Sequence, residues 1–269
     1  MEALRIDSAF TSSTPPASPP RLPSIWAALG LIVFYFVLQF AVGAVVGLVM
    51  AVTLGVHGGS HVQARIHEAL TRPDISAVMV MLTLVISAAI TLVLARRLWP
   101  SMWQLSAPPG FGFAAPRHTG YFVIAFAAGL ALPFIGGLLT QWLAQGHEVS
   151  QDIKQLGATA SPAIRIPLAL LIVTLGPLVE EVLFRGVLLS ALSRRTSMWV
   201  AGLLSAALFA CVHLPDLAFL WYAIPNLLLL GCVLAWLRIQ SGSIWPAVLT
   251  HGVNNALAVV SWFVMTQGS

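Results

Sequence analysis

Long apolar runs separated by short polar connections dominate the chain. Ile25 to Val56 contains no charged residue at all. Further runs cover Ile75–Ala95, Tyr121–Gln145, Pro167–Leu192, Met198–Val212, Phe219–Leu237 and Ile244–Met265. A bilayer core takes about 20 apolar residues per helix, so the pattern predicts a polytopic transmembrane helical bundle, all-α, of about seven spans within a range of six to eight. Neither strand-like alternation nor an internal repeat is visible. The fourth run is interrupted by Glu180, Glu181 and Arg185, and the fifth is short, ending at His213-Leu214-Pro215-Asp216. Pro225 predicts a kink in the sixth. Residues 1–24 are rich in Ser, Thr and Pro, cannot bury enough apolar surface to fold, and read as a flexible tail.

Composition excludes a water-soluble surface. Hydrophobic residues make up 58% of the chain and charged residues 8%, with a mean hydropathy of +0.91, whereas soluble domains are about 25% charged. The net charge of +4 does not form the clustered basic face that nucleic-acid binding needs. The cations sit at the ends of the apolar runs, where they anchor helices and set orientation. Cys211 and Cys232 lie inside apolar runs, as packing residues rather than a disulfide framework.

With seven spans, one side of the membrane holds Arg5, Arg21, Arg96, Arg97, Arg117, Arg194, Arg195 and Arg238. The other holds Arg65, Arg72, Lys154 and Arg165. The positive-inside rule then places the N-terminus and the Arg194–Arg195 turn in the cytoplasm.

Ionisable groups at membrane depth are costly and are functional candidates by default. The first three runs offer none that stands out; the second half offers Glu180, Glu181, Arg185, His213, His251 and Asn255. At ~1.5 Å per residue, the two glutamates lie about 20 Å from Arg194, His213 about 21 Å from Trp199, and His251 and Asn255 about 12 and 18 Å from Ser243. All are measured from the same face, so three helices deliver polar groups to one layer. Glu181 and Arg185 are spaced to pair along one helix face, as are His251 and Asn255. Glu180 points about 100° away, free for another partner. Pro177, just before the acidic pair, predicts a loosened helix with room for water or substrate. Taken singly, each group has a structural reading: a Glu–Arg clamp, an interfacial His, an Asn joining helices. Their occurrence at one depth favours a site.

These residues also form motifs. Glu180-Glu181-Val-Leu-Phe-Arg185, Phe209-Ala-Cys-Val-His213 and His251-Gly-Val-Asn-Asn255 follow one another in order, the last preceded by Ser241-Gly-Ser-Ile-Trp-Pro246. The set resembles the EExxxR, FxxxH and HxxxN motifs of the CPBP family of intramembrane proteases, which comprises the CAAX prenyl protease 2 (Rce1-like) and Abi proteins. The resemblance covers roughly Gly176 to Asn255 and implies a catalytic core within 161–269, behind N-terminal helices at 25–160. It implies an endopeptidase that hydrolyses a peptide bond of a lipidated or membrane-delivered substrate. Glu180, assisted by His213, would activate water; His251 and Asn255 would donate to the oxyanion; Glu181 and Arg185 would hold the carboxylate helix. Members have been called metalloproteases, and Glu180, His213 and His251 are a possible ligand set for a divalent metal such as Zn, although HExxH is absent. The family also includes non-catalytic immunity and scaffold proteins that use the same pocket. A proton-coupled transporter would place Glu and His in a relay, but no inverted-repeat hydropathy supports one. The expected partners are the lipid bilayer and a peptide or membrane-protein substrate, and the expected location is a bacterial inner membrane.

The charge asymmetry generates a test. In intact cells, Ser18→Cys and Ser197→Cys should resist a membrane-impermeant thiol reagent until the cells are permeabilised. Labelling of both from outside would reverse the orientation.

Overall fold

The computed structural model describes residues 21–56, 64, 67, 68, 71–147 and 152–264. Among these the chain is helical with no strand. The tail over 1–20 lies outside the described residues. Helix α1 is Ile25–Val56 and α2 is Pro73–Leu98, followed by a 3-10 turn at Pro100–Trp103. Helix α3 is Gly120–Ala144, α4 Asp152–Thr159, α5 Pro162–Val173 and α6 Leu175–Glu181. A π-helical segment, Val182–Leu188, leads into the single turn α7, Leu189–Leu192. Helices α8 (Met198–Val212), α9 (Ile224–Ser241) and α10 (Trp245–Val264) complete the bundle.

Five described helical stretches are long and apolar enough to cross a membrane: Ile25–Thr53, Pro73–Leu98, Gly120–Ala144, Pro162–Leu192 and Trp221–Ser241. Helix α8 is shorter but apolar, and α10 covers the seventh hydrophobic run. Helix is the expected state, because the backbone of a segment in lipid must satisfy its own polar groups. Large side chains such as Val37, Phe40, Val123, Leu138 and Trp142 face outward, while Ala28, Ala88, Ala95 and Ala125 are buried between helices. Small residues at the contacts let helix axes approach.

Helix α9 packs along α8, α3 and α10, and α10 along α3 and α5. The segment after α2 fixes the α9–α10 turn from outside. Arg117 N–H donates to Ser241 O at 2.9 Å, Ile244 N–H to Gly112 O at 2.8 Å, and Ser243 Oγ to Ala114 O at 2.7 Å. Rings of Trp103, Phe111, Phe113 and Trp245 pack over the same turn. Since α10 begins there, these bonds set the height at which His251 enters the bundle.

Three sequence expectations change. Pro225 does not kink the sixth span: it lies in the first turn of α9, where a missing N–H costs nothing. The stretch before α9 is loop, with Ala218 and Phe219 left-handed and a 3-10 turn at Trp221–Ala223. The fourth run is interrupted earlier than the acidic pair, at Thr174 (φ −118°, ψ −67°), with Pro177 in the first turn of α6. Arg165 and Arg238 are not surface anchors. Both are buried; Arg165 donates to the carbonyls of Trp262, Ala158 and Ala160, and Arg238 to that of Gly110. The remaining cations keep the same asymmetry.

The α3–α10 contact rests on a close approach at Gly129. A Cβ there would stand 2.7 Å from Val253 Cβ and 2.8 Å from Thr250 O, whereas one at Gly137 on the same helix would meet nothing within 4 Å. Gly129→Ala should therefore destabilise by about 1–3 kcal/mol, the usual cost of overpacking, and Gly137→Ala should not. Thermal unfolding of the two variants in detergent makes the comparison.

Candidate intramembrane active site

The site is assembled from three helices around one carboxylate, Glu180. Its side chain is 21% exposed, and its Oε2 is buried with no hydrogen-bond partner. His213 Nε2, at the end of α8, stands 3.8 Å from that oxygen, and His251 Nε2, on α10, stands 3.7 Å from it. The shared layer expected from helix rise is what the bundle builds.

Local sequence explains how each group arrives. After Thr174 breaks the helix, Pro177 has no N–H to return to the preceding turn. The carbonyl that this leaves free is that of Val173, and α10 meets the neighbouring one: Asn255 Nδ2 donates to Ile172 O at 3.1 Å. Gly252 lies so near Val173 O that a Cβ would come within 2.6 Å of it. The break thus docks α10 against the glutamate helix. His213 is held by its own helix, Nδ1 donating to Phe209 O at 2.7 Å.

Glu181 faces the other way and is fully buried. Its Oε1 accepts from Arg185 Nη1 at 2.9 Å and from His251 Nδ1 at 3.1 Å. Arg185, equally buried, donates through Nη2 to Gly231 O at 2.9 Å and lies over the Phe209 ring, 4.6 Å from its centroid. The Phe209 ring also borders His213 and His251, at centroid distances of 4.8 and 5.6 Å. The two glutamates are therefore unlike: one opens toward the outside, the other is sealed in a charge pair.

The hydrogen-bond partners fix the imidazole tautomers. A carbonyl oxygen only accepts, so His213 carries its proton on Nδ1 and presents an Nε2 lone pair to Glu180. Glu181, shared with Arg185, likewise takes the Nδ1 proton of His251. At 3.7–3.8 Å the Nε2 atoms are beyond direct hydrogen bonding to Glu180 Oε2. A tetrahedral zinc site with ligands at ~2.0–2.1 Å sets its ligand atoms about 3.3–3.4 Å apart, closer than either imidazole stands to Glu180 Oε2. Among the described residues, no group of three His, Cys, Asp or Glu is arranged to hold a metal ion. The residues present do not fit a closed metal set.

The sequence reading singled out nothing on spans one to three, and it missed Tyr35. This phenol is buried on α1 and lies within electrostatic reach of Glu180. Its neighbours in sequence are all apolar, so no pattern marks it; a lone Tyr in a charge-free span was the available signal. Asn254, next to Asn255, donates to the Asn255 Oδ1 at 3.3 Å.

The buried pair predicts how the second glutamate behaves. Glu181→Ala leaves the Arg185 charge uncompensated in a dry interior and should destabilise by about 3–5 kcal/mol. The double variant Glu181→Ala/Arg185→Met, which removes both charges, should recover part of that loss in thermal unfolding.

Comparison with known proteins finds similarity over the segment that contains these residues. Residues 162–257 match the family described as type II CAAX prenyl endopeptidase Rce1-like. The chain is also 25% identical over 142 residues to the Bacillus subtilis (strain 168) protein named "Putative membrane peptidase YdiL". That alignment covers 52% of this chain and 53% of the relative, so the chain spans about half the length of the curated relative it matches. No solved structure matches. Glu180, Glu181, Arg185, His213, His251 and Asn255 all fall inside the matched region, so the segment 162–257 is similar to the Rce1-like endopeptidases over 36% of the chain.

Proposed function

We propose that the chain is an intramembrane endopeptidase that hydrolyses a peptide bond by a water activated between Glu180 and His213. The observation that carries this reading is the convergence of Glu180 Oε2 and two imidazole Nε2 atoms within 3.8 Å in an apolar bundle. Two acceptors at this separation suit one water that donates an O–H to each. Its lone pairs then remain free to attack a carbonyl carbon. Glu180 takes the proton as the O–C bond forms and returns it to the leaving amine.

The oxyanion needs donors. Asn255 spends one Nδ2 hydrogen on Ile172 O, which leaves its second for substrate. His251 donates from Nε2 only as an imidazolium, because Glu181 holds its Nδ1 proton. Glu181 and Arg185 do not touch substrate in this scheme; they aim His251 and hold the helix.

An apolar cavity of about 660 Å³ adjoins the site, between α3, the α5–α6 break and α10. It is lined by Phe122 on α3, by Leu175 and Leu178, which precede Glu180 on its helix, and by Trp245, Val248 and Ala256, which flank His251 on α10. Such a cavity suits an apolar segment entering from the bilayer, in keeping with a lipidated or membrane-embedded substrate. The reading places the protein in a bacterial inner membrane with its N-terminus in the cytoplasm.

Purified protein in detergent, assayed on a library of lipidated and unmodified peptides, tests this. Glu180→Gln should fold like the wild type and lose nearly all turnover, since only the proton acceptor is removed. Full activity in Glu180→Gln would sink the assignment, and a folded wild type that cleaves nothing would favour a non-catalytic scaffold. Stoichiometric zinc abolished by both His213→Ala and His251→Ala would replace the metal-free route.

A further inference from the structure

The helix that carries Glu180 does not continue as an α-helix. From Val182 to Leu188 it is π-helical, and the Leu189 N–H reaches back five residues to Phe184 O. Wide turns of this kind are rare and gather at functional sites. They are also weakly held, because the α-form of the same segment is the ordinary alternative. Something outside the helix must favour the wide turn, and the Phe184 carbonyl identifies it. Besides the Leu189 N–H, this oxygen accepts the hydroxyl of Ser205, on α8, at 2.8 Å. Both residues are buried.

Ser205 belongs to a stripe. Ser205, Phe209 and His213 follow at intervals of four, so they share one face of α8. Ser205 bonds the π segment, and Phe209 packs edge-on against Phe184 with centroids 5.3 Å apart and carries Arg185 over its ring. His213, at the end of the stripe, faces Glu180. Apolar contacts along the rest of α8 tolerate sliding; a single short hydrogen bond between two dry groups does not. In lipid neither group finds water if the bond breaks.

We propose that Ser205 is a positioning residue for the Glu180–His213 pair: its hydroxyl, donating to the Phe184 carbonyl, holds the wide turn and fixes the height of α8 against the glutamate helix. This rests on the peptidase reading above. Ser205 does not meet substrate. Its loss shifts the separation across which one water is shared, and an error of about 1 Å in such a geometry costs on the order of 10²-fold in rate.

The test is steady-state cleavage by purified wild type, Ser205→Ala and Ser205→Thr, with thermal unfolding of each. Ser205→Ala should lose ~10–10²-fold in kcat with KM unchanged, and Ser205→Thr, which keeps the hydroxyl, should regain most of it. Loss of bulk packing alone would lower the unfolding temperature without this split and would not be rescued by Thr. Full kcat in Ser205→Ala overturns the proposal, as does equal loss in folded Ala and Thr variants. If Ser205→Ala does not fold, Ser205→Cys, with a weaker donor of similar size, takes its place: intermediate kcat supports the proposal and wild-type kcat overturns it. A wild type that cleaves no peptide fails the peptidase reading itself and takes this role with it.

Discussion

The buried Glu181–Arg185 pair is the interaction on which the rest depends. Oε1 of Glu181 accepts from Arg185 and from His251, and Arg185 reaches on to Gly231 O and rests on Phe209. One ion pair thereby joins the glutamate helix, α8, α9 and α10. Isolated charges at this depth cost several kcal/mol each, so each helix that offers a partner is held in the single arrangement that satisfies them. In lipid, where no hydrophobic force drives helix on helix, such a polar junction supplies specificity that apolar side chains cannot.

The same junction divides labour between adjacent carboxylates. Glu180 and Glu181 differ by one position and so by about 100° around the helix. That rotation puts one against Arg185 in a dry interior and the other beside two imidazoles, with its side chain 21% exposed. Chemistry requires a group that can change its proton count, and structure requires one that cannot. Placing both on one turn lets the paired Glu181 orient His251, whose Nε2 stands 3.7 Å from Glu180.

Breaks in helical regularity serve the site. The interruption at Thr174 releases carbonyls that Asn255 and the backbone near Gly252 use to dock α10. The wide turn at Val182–Leu188 sets where Arg185 projects. Each irregularity would be unfavourable alone in a membrane; each lies close to Glu180 in the chain and is compensated by a neighbouring helix.

The sequence alone determined the class of molecule, the approximate spans and the polar layer. These follow from quantities local to the chain: hydropathy over a bilayer's thickness, helix rise, and the spacing of Glu181 with Arg185 and of His251 with Asn255. The cavity beside the Thr174 break was foreshadowed by Pro177, though the break itself falls earlier. Tertiary structure decided the remainder. Arg165 and Arg238 read as membrane-edge anchors, yet both are buried against carbonyls that only the folded bundle exposes. Tyr35 is only a lone phenol in a charge-free span until α1 packs beside the π segment that follows Glu181. The π turn is invisible, because hydropathy does not distinguish a bond to the fourth residue from one to the fifth. A chain encodes which residues share a helix face. Which helices meet, at what height, and which backbone groups then lack partners are fixed only when the helices pack.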